Sequence, residues 1–198
     1  MKYVNQLLHP DIPYPTHMAD KTKTAEEKIS NIARSGCGLC CASMMVDYLT
    51  GEELSLTDAV KMSALSAANR SRGTNMQYLA PMLAESFGLD YKFSADLDEA
   101  IEALRGGAFI IAHVRIDPET GLSLFTNSGH YISLVSTDGK EFCILDPSYK
   151  PEKYEREDRK EKVDTSHAPY LYCKVEDTHE ATVKEKGKPK YYIFQRKR

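Results

Sequence analysis

The chain has 198 residues and a mass of 22.3 kDa, a length that suits one domain or a small domain with an appendage. Hydrophobic residues at 41% and charged residues at 28% supply both a core and a solvated surface, which excludes a disordered or collagen-like chain. The net charge of -3 divides unevenly, with 14 Lys+Arg against 10 Asp+Glu from Lys150 to Arg198 and an acidic remainder. The alternating signs of 151–162 read as a solvated face, so neither nucleic acid nor membrane is expected as a partner.

In chain order, residues 7–31 are polar and Pro-rich (Pro10, Pro13, Pro15) and predict surface chain with one helical turn near 25–29. Residues 38–49 predict a helix with Ala42, Met45, Val46 and Leu49 on one face, ended by Thr50-Gly51. Ser55 to Asp58 has the form of a capping box and opens a second helix, to about Ala68. A third, 75–87, closes at Gly88, and a fourth, 96–105, stops at Gly106-Gly107. Strands follow at 108–115, 131–136, 140–145, 170–175 and 191–195. Helices first and strands afterwards predict an α+β domain with an antiparallel sheet. The longest apolar run, Ala108–Val114, is far short of the roughly 18 residues needed to span a bilayer. Met1–Gln6 lacks the apolar stretch of a secretory signal. Five cysteines, three of them at 37, 40 and 41, make a poor disulfide framework and fit a reducing compartment; cytoplasmic placement is the expectation.

The segment Ser35-Gly36-Cys37-Gly38-Leu39-Cys40-Cys41 carries the chemistry. Glycines on both sides of Cys37 allow a sharp turn and close approach of another chain. The helical stripe starts directly afterwards, so Cys37 stands at a helix N-terminus, where the macrodipole and free N–H groups favour a thiolate. Cys40 and Cys41 read as small core residues. Cys37-x-x-Cys40 also has redox-pair spacing, although no strand-like run precedes it, and a zinc site lacks a second ligand pair because Cys143 and Cys173 stand alone. No metal or cofactor is called for.

A cysteine nucleophile needs a base and an orienting group. Of six histidines, only His113 and His130 lie beside expected core strands. His113, among Ile110, Ile111 and Val114, reads as a core or supporting residue. His130 enters the strand 131–136, and the next strand ends at Asp146-Pro147. A three-residue hairpin loop at Thr137-Asp138-Gly139 pairs Ser136 with Lys140 and sets His130 directly opposite Asp146, with Ile132, Leu134, Phe142 and Ile144 on the same face.

Ser35-Gly36-Cys37-Gly38 followed by Ala42-Ser43-Met44-Met45 and Tyr48-Leu49-Thr50-Gly51 resembles the cysteine motif of papain-like peptidases of the bacteriocin-leader-processing branch. Gly73-Thr74, the helix ending Phe87-Gly88-Leu89, Leu104 to Gly107, Gly129-His130-Tyr131 and Ile144-Leu145-Asp146-Pro147 follow in that family's order. The resemblance covers roughly residues 1–150. It implies a papain-like fold, with the nucleophile helix packed on a sheet that carries base and orienter. A single domain of 1–198 is expected, with 151–198 an extension adding a loop and edge strands. The resemblance further implies an oxyanion hole built from the Cys37 N–H and an upstream glutamine amide. Gln6 is the sole glutamine before Cys37. Relatives of the stand-alone kind often carry Pro-Thr or Pro-Ser where this chain has Leu39-Cys40, and no exporter segment accompanies the motifs. The expected activity is a cysteine peptidase acting on a peptide or protein substrate through Cys37, His130, Asp146 and Gln6. An amidase or transglutaminase-like acyl transferase, or a non-catalytic peptide-binding domain, would use the same fold.

Overall fold

A computed structural model describes residues 1–197. The N-terminal stretch holds a 3-10 turn at Gln6–Leu8 and two single-turn helices, α1 (Ala25–Lys28) and α2 (Ile32–Ser35). Four longer helices follow, α3 (Cys37–Thr50), α4 (Leu56–Leu65), α5 (Met76–Ser86) and α6 (Leu97–Arg105), with strand β1 (Leu89–Ser94) between the last two. Their starts are set by local chemistry, since Ser55, Asn75 and Asp96 each accept a hydrogen bond from a backbone N–H of the first turn. Then come β2 (Phe109–Arg115), β3 (Gly129–Thr137), β4 (Glu141–Leu145), α7 (Pro151–Tyr154), α8 (Glu157–Lys160), β5 (Val163–His167), β6 (Tyr170–Lys174), α9 (Val175–Glu180) and β7 (Tyr191–Arg196).

The seven strands form one antiparallel sheet in the order β1-β7-β2-β3-β4-β6-β5. Both faces are covered. On one, α3, α4 and α5 bury Leu39, Met45, Leu79 and Leu83 against Phe109, Ile111, Tyr131 and Phe194. On the other, α6 and the C-terminal segments bury Leu104, Tyr154 and Val175 against Ile110, Ile132, Ile144 and Leu171. β7 corrects the expectation of C-terminal edge strands: it pairs with β1 and β2 inside the sheet. Its residues Tyr191 to Phe194 are buried, so an apolar run buried on both faces marks an interior strand.

The hairpin between β3 and β4 also departs from expectation. Ser136 pairs with Cys143 and Thr137 with Phe142, and the register shifts between Leu134 and Ser136. The longer loop is satisfied from within, because Asp138 Oδ1 accepts from Lys140 N and Glu141 N, and Thr137 Oγ1 accepts from Gly139 N. Beyond the bulge Leu134 pairs with Ile144, a slip of two residues from the expected register. An even slip leaves every side chain on its face. Ile132, Leu134, Phe142 and Ile144 therefore do share one core, and His130 and Asp146 meet diagonally rather than directly opposite.

The first thirty residues are less superficial than their composition suggests. Tyr14 is fully buried, with its hydroxyl bonded to Ser63 Oγ and Thr74 Oγ1 at 2.8 and 2.9 Å. β1 and β5 were not expected as strands. Most of β1 is exposed, and β5 (Val-Asp-Thr-Ser-His) lies at the sheet edge with largely polar residues.

Candidate active site

Cys37 is the first residue of α3, with its N-cap at Gly36. α2 runs almost directly into it, and the two glycines make that junction possible. A Cβ on Gly36 would lie 2.7 Å from Ile32, and one on Gly38 would lie 2.9 Å from the Thr74 side chain. At a helix N-terminus the first N–H groups have no partner within the helix, so Cys37 sits where backbone donors and the positive end of the dipole converge. The thiol is half-buried. Burial alone would push it up. The His130 imidazolium, with backbone N–H groups of Tyr131 and Gly38, outweighs that and draws it below the ordinary thiol value. Cys40 and Cys41 are fully buried on the same helix and burial pushes both thiols well up, as suits packing residues.

His130 stands near the start of β3, paired with Val114 of β2, and is 7% exposed. Its Nε2 lies 2.7 Å from Asp146 Oδ1 and 3.1 Å from Ser148 Oγ. Burial disfavours the imidazolium, but the Asp146 carboxylate prevails and raises the histidine above its usual value. With Nε2 engaged by the carboxylate, Nδ1 is the nitrogen left for the thiol.

Asp146 has no exposed surface and is bonded on every side. Oδ1 accepts from His130 and from Ser148 N at 2.8 Å, while Oδ2 accepts from Lys153 Nζ at 2.5 Å and Tyr154 Oη at 2.6 Å. Burial would raise this carboxyl, yet the Lys153 and His130 charges hold it well below the carboxylate range. The N-terminal segment clamps the same loop. Tyr3 Oη donates to Asp146 O, Asn5 Nδ2 to Tyr149 O, and Gln6 N to Pro147 O at 2.7 Å.

That clamp carries Gln6 to the site. Its side chain is buried, and Nε2 donates to Ala33 O at 2.8 Å, one turn ahead of Cys37. Turning the amide over would set Oε1 against the Ala33 carbonyl, so the donor orientation is fixed. One N–H remains on the amide, and Oε1 has no partner. His113 lies outside this cluster: it stacks on Tyr131 at 4.7 Å, and burial lowers it to about 4, so it stays neutral.

The structure thus gathers His130 and Asp146 in direct contact, with Cys37 at the start of α3 and Gln6, from the N-terminal 3-10 turn, bonded to Ala33 of α2. Ser148, Lys153, Tyr154 and Tyr3 were missed by sequence reasoning. Asp146-Pro147-Ser148 has the spacing of a carboxylate capping the N–H two residues on, a signal for Ser148. Lys153 and Tyr154 lie inside a charge run that reads as solvated surface.

Residues 1–173 match the Peptidase C39-like family. The chain belongs to that family. The matched span runs past residue 150, where the motif resemblance ends, and takes in β5 and nearly all of β6. Among solved structures the C39-like chain is similar to a candidate C39-like peptidase from Bacillus anthracis, with a TM-score of 0.54 and 14% identity. The likeness covers 82% of this chain and 89% of that one, and shows a shared papain-like α+β fold. A search of curated proteins finds no match. Among the described residues no helix is long and apolar enough to cross a membrane. Family membership places the C39-like chain among cysteine peptidase-like proteins.

Proposed function

We propose that this C39-like protein is a cysteine peptidase that cleaves a peptide or amide bond through Cys37, His130 and Asp146, with a thioester intermediate. The observation that carries the reading is the His130–Asp146 contact of 2.7 Å behind a half-buried thiol at the N-terminus of α3.

The thiolate of Cys37 attacks the scissile carbonyl carbon, and the carbonyl oxygen becomes an oxyanion. The Cys37 N–H and the free N–H of Gln6 face that charge; one such donor is worth about 3–4 kcal/mol in the transition state. The C–N bond breaks as the imidazolium of His130 gives its proton to the leaving amine. Water then loses a proton to His130 and attacks the thioester, and the C–S bond breaks to return the thiolate. Asp146 fixes the tautomer and holds the imidazolium. Lys153 and Tyr154 occupy its second oxygen and keep the carboxylate from turning away from His130.

A peptide library incubated with wild-type protein and with Cys37→Ala tests the reading. Cleavage, together with an acyl adduct on Cys37 caught by mass spectrometry after acid quenching, is expected from the wild type alone. Cleavage by both proteins, or adducts on another cysteine, would contradict it.

A further inference from the structure

A cavity of about 370 Å³ opens beside the proposed triad, within the range of about 300–1,000 Å³ typical of small-ligand sites. Ser148, Lys150, Lys153, Arg156 and Arg159 stand on its wall, with Glu152 as the acidic residue among them. We propose that it binds a carboxylate carried by the part of a peptide substrate that departs with the amine. This rests on the peptidase reading above and adds the class of substrate group that the site selects.

Arg159 is the centre of the argument. It is 3% exposed, and its four hydrogen bonds end on uncharged acceptors. They are Ser123 O at 2.7 Å, Lys153 O at 3.0 Å, Ser123 Oγ at 3.2 Å and Asn127 Oδ1 at 2.6 Å. A buried guanidinium is ordinarily matched by a carboxylate, because neutral acceptors leave its charge uncompensated. One of its five N–H donors is left over.

Among the described residues no carboxylate bonds Arg159, and two of the nearby acids are matched to other cations. Lys153 is paired with Asp146 and Arg156 with Asp158. Lys150 is exposed at the rim. Glu152 can answer one of Lys150 and Arg159, so the wall keeps a surplus positive charge. Guanidinium and ammonium groups converging on a small hollow suit a carboxylate, which accepts from several donors at once.

Position decides which part of the substrate it serves. Ser148 lines the cavity and also lies 3.1 Å from His130 Nε2, the ring nitrogen turned away from Cys37. The amine leaves on the His130 side of the scissile bond, and Ser148 is the cavity residue that borders this histidine. An aspartate or glutamate side chain there, or a free C-terminus, reaches the cavity.

The test uses the Cys37→Ala protein labelled with 15N, with the Arg159 Nε–Hε resonance as probe. Two acetylated, amidated peptides are titrated, Ala-Ala-Asp-Ala and Ala-Ala-Asn-Ala, with sodium sulfate as a third arm. A saturable shift with the aspartate peptide and little with the asparagine peptide is expected. Adding Lys150→Glu or Arg156→Glu should weaken binding by about tenfold. An equal response to both peptides, no response, or a response to sulfate alone (an adventitious ion only) would overturn the proposal. Alkylation of Cys37 in the wild-type protein reads the peptidase chemistry without involving the cavity, so the two readings fail separately.

Discussion

Lys153 Nζ lies 2.5 Å from Asp146 Oδ2, on the carboxylate oxygen that His130 does not use. The carboxylate is thereby shared between a fixed cation and a titrating one, and the ammonium works against protonation of His130.

Lys153→Met should therefore raise the pH at which His130 loses its proton. With the ammonium gone, the buried Asp146 charge acts on the imidazole undivided, and the 1H–13C resonances of His130 will titrate at higher pH than in the wild type. A titration unchanged or moved to lower pH would show that Lys153 serves only to hold the loop. The His130 charge contributes stability that is fully present below the unfolded histidine value and is lost as pH rises through its raised folded value. The variant should carry that loss to higher pH as well.

Asp146→Asn leaves Lys153 buried beside a neutral amide, and breaking a buried pair in this way costs about 3–5 kcal/mol. Urea unfolding should show that loss, and Asp146→Asn with Lys153→Met should recover much of it. In the wild type the folded carboxyl is depressed, so its contribution is present above the unfolded value of about 3.9 and fades as pH falls below it. Equal stability of the single and double variants would mean that the ion pair is not what Asp146 contributes.

Gln6→Ala removes one proposed oxyanion donor while leaving the thiol and its base in place. Turnover of a cleavable peptide should fall by about 10²–10³-fold in kcat, with the alkylation rate of Cys37 unchanged. A fall in both together would mark the Gln6 side chain as support for α2 through Ala33 O and no more.

Gly38→Ala drives a methyl against the Thr74 side chain at 2.9 Å, and overpacking of this kind costs about 1–3 kcal/mol. Denaturant melts should show it, with a matching loss of thiol reactivity as the start of α3 shifts. A stable, fully reactive variant would mean that Thr74 gives way.

The local chemistry of the long helices was legible where it lies in adjacent residues: Ser55 caps α4 as its capping box announces, while Asn75 and Asp96, expected as the first residues of their helices, stand just ahead of them as caps. Cys37 was legible for the same reason, as a cysteine between two glycines at the head of an apolar stripe. The face shared by His130 and Asp146 was legible from parity, while the register was not. The bulge near Val135 and the self-satisfied loop at 137–141 depend on hydrogen bonds that no alternation of apolar residues reveals. Lys153 and Tyr154 were hidden because charge pattern marks solvated chain on average, and only the fold turns this pair onto a buried carboxylate. Arg159 was hidden in the same run.

The central claim is that His130 activates Cys37, and the pH dependence of Cys37 alkylation by iodoacetamide tests it directly. Mass spectrometry can follow each cysteine separately in the folded protein. The wild-type Cys37 should react with a midpoint below the ordinary thiol value of about 8.5. In His130→Ala, burial is opposed only by the backbone N–H groups of Tyr131 and Gly38, and the midpoint should move upward, while Cys143 is unchanged. A wild-type Cys37 that titrates like a free thiol, or a midpoint indifferent to His130→Ala, would contradict the account.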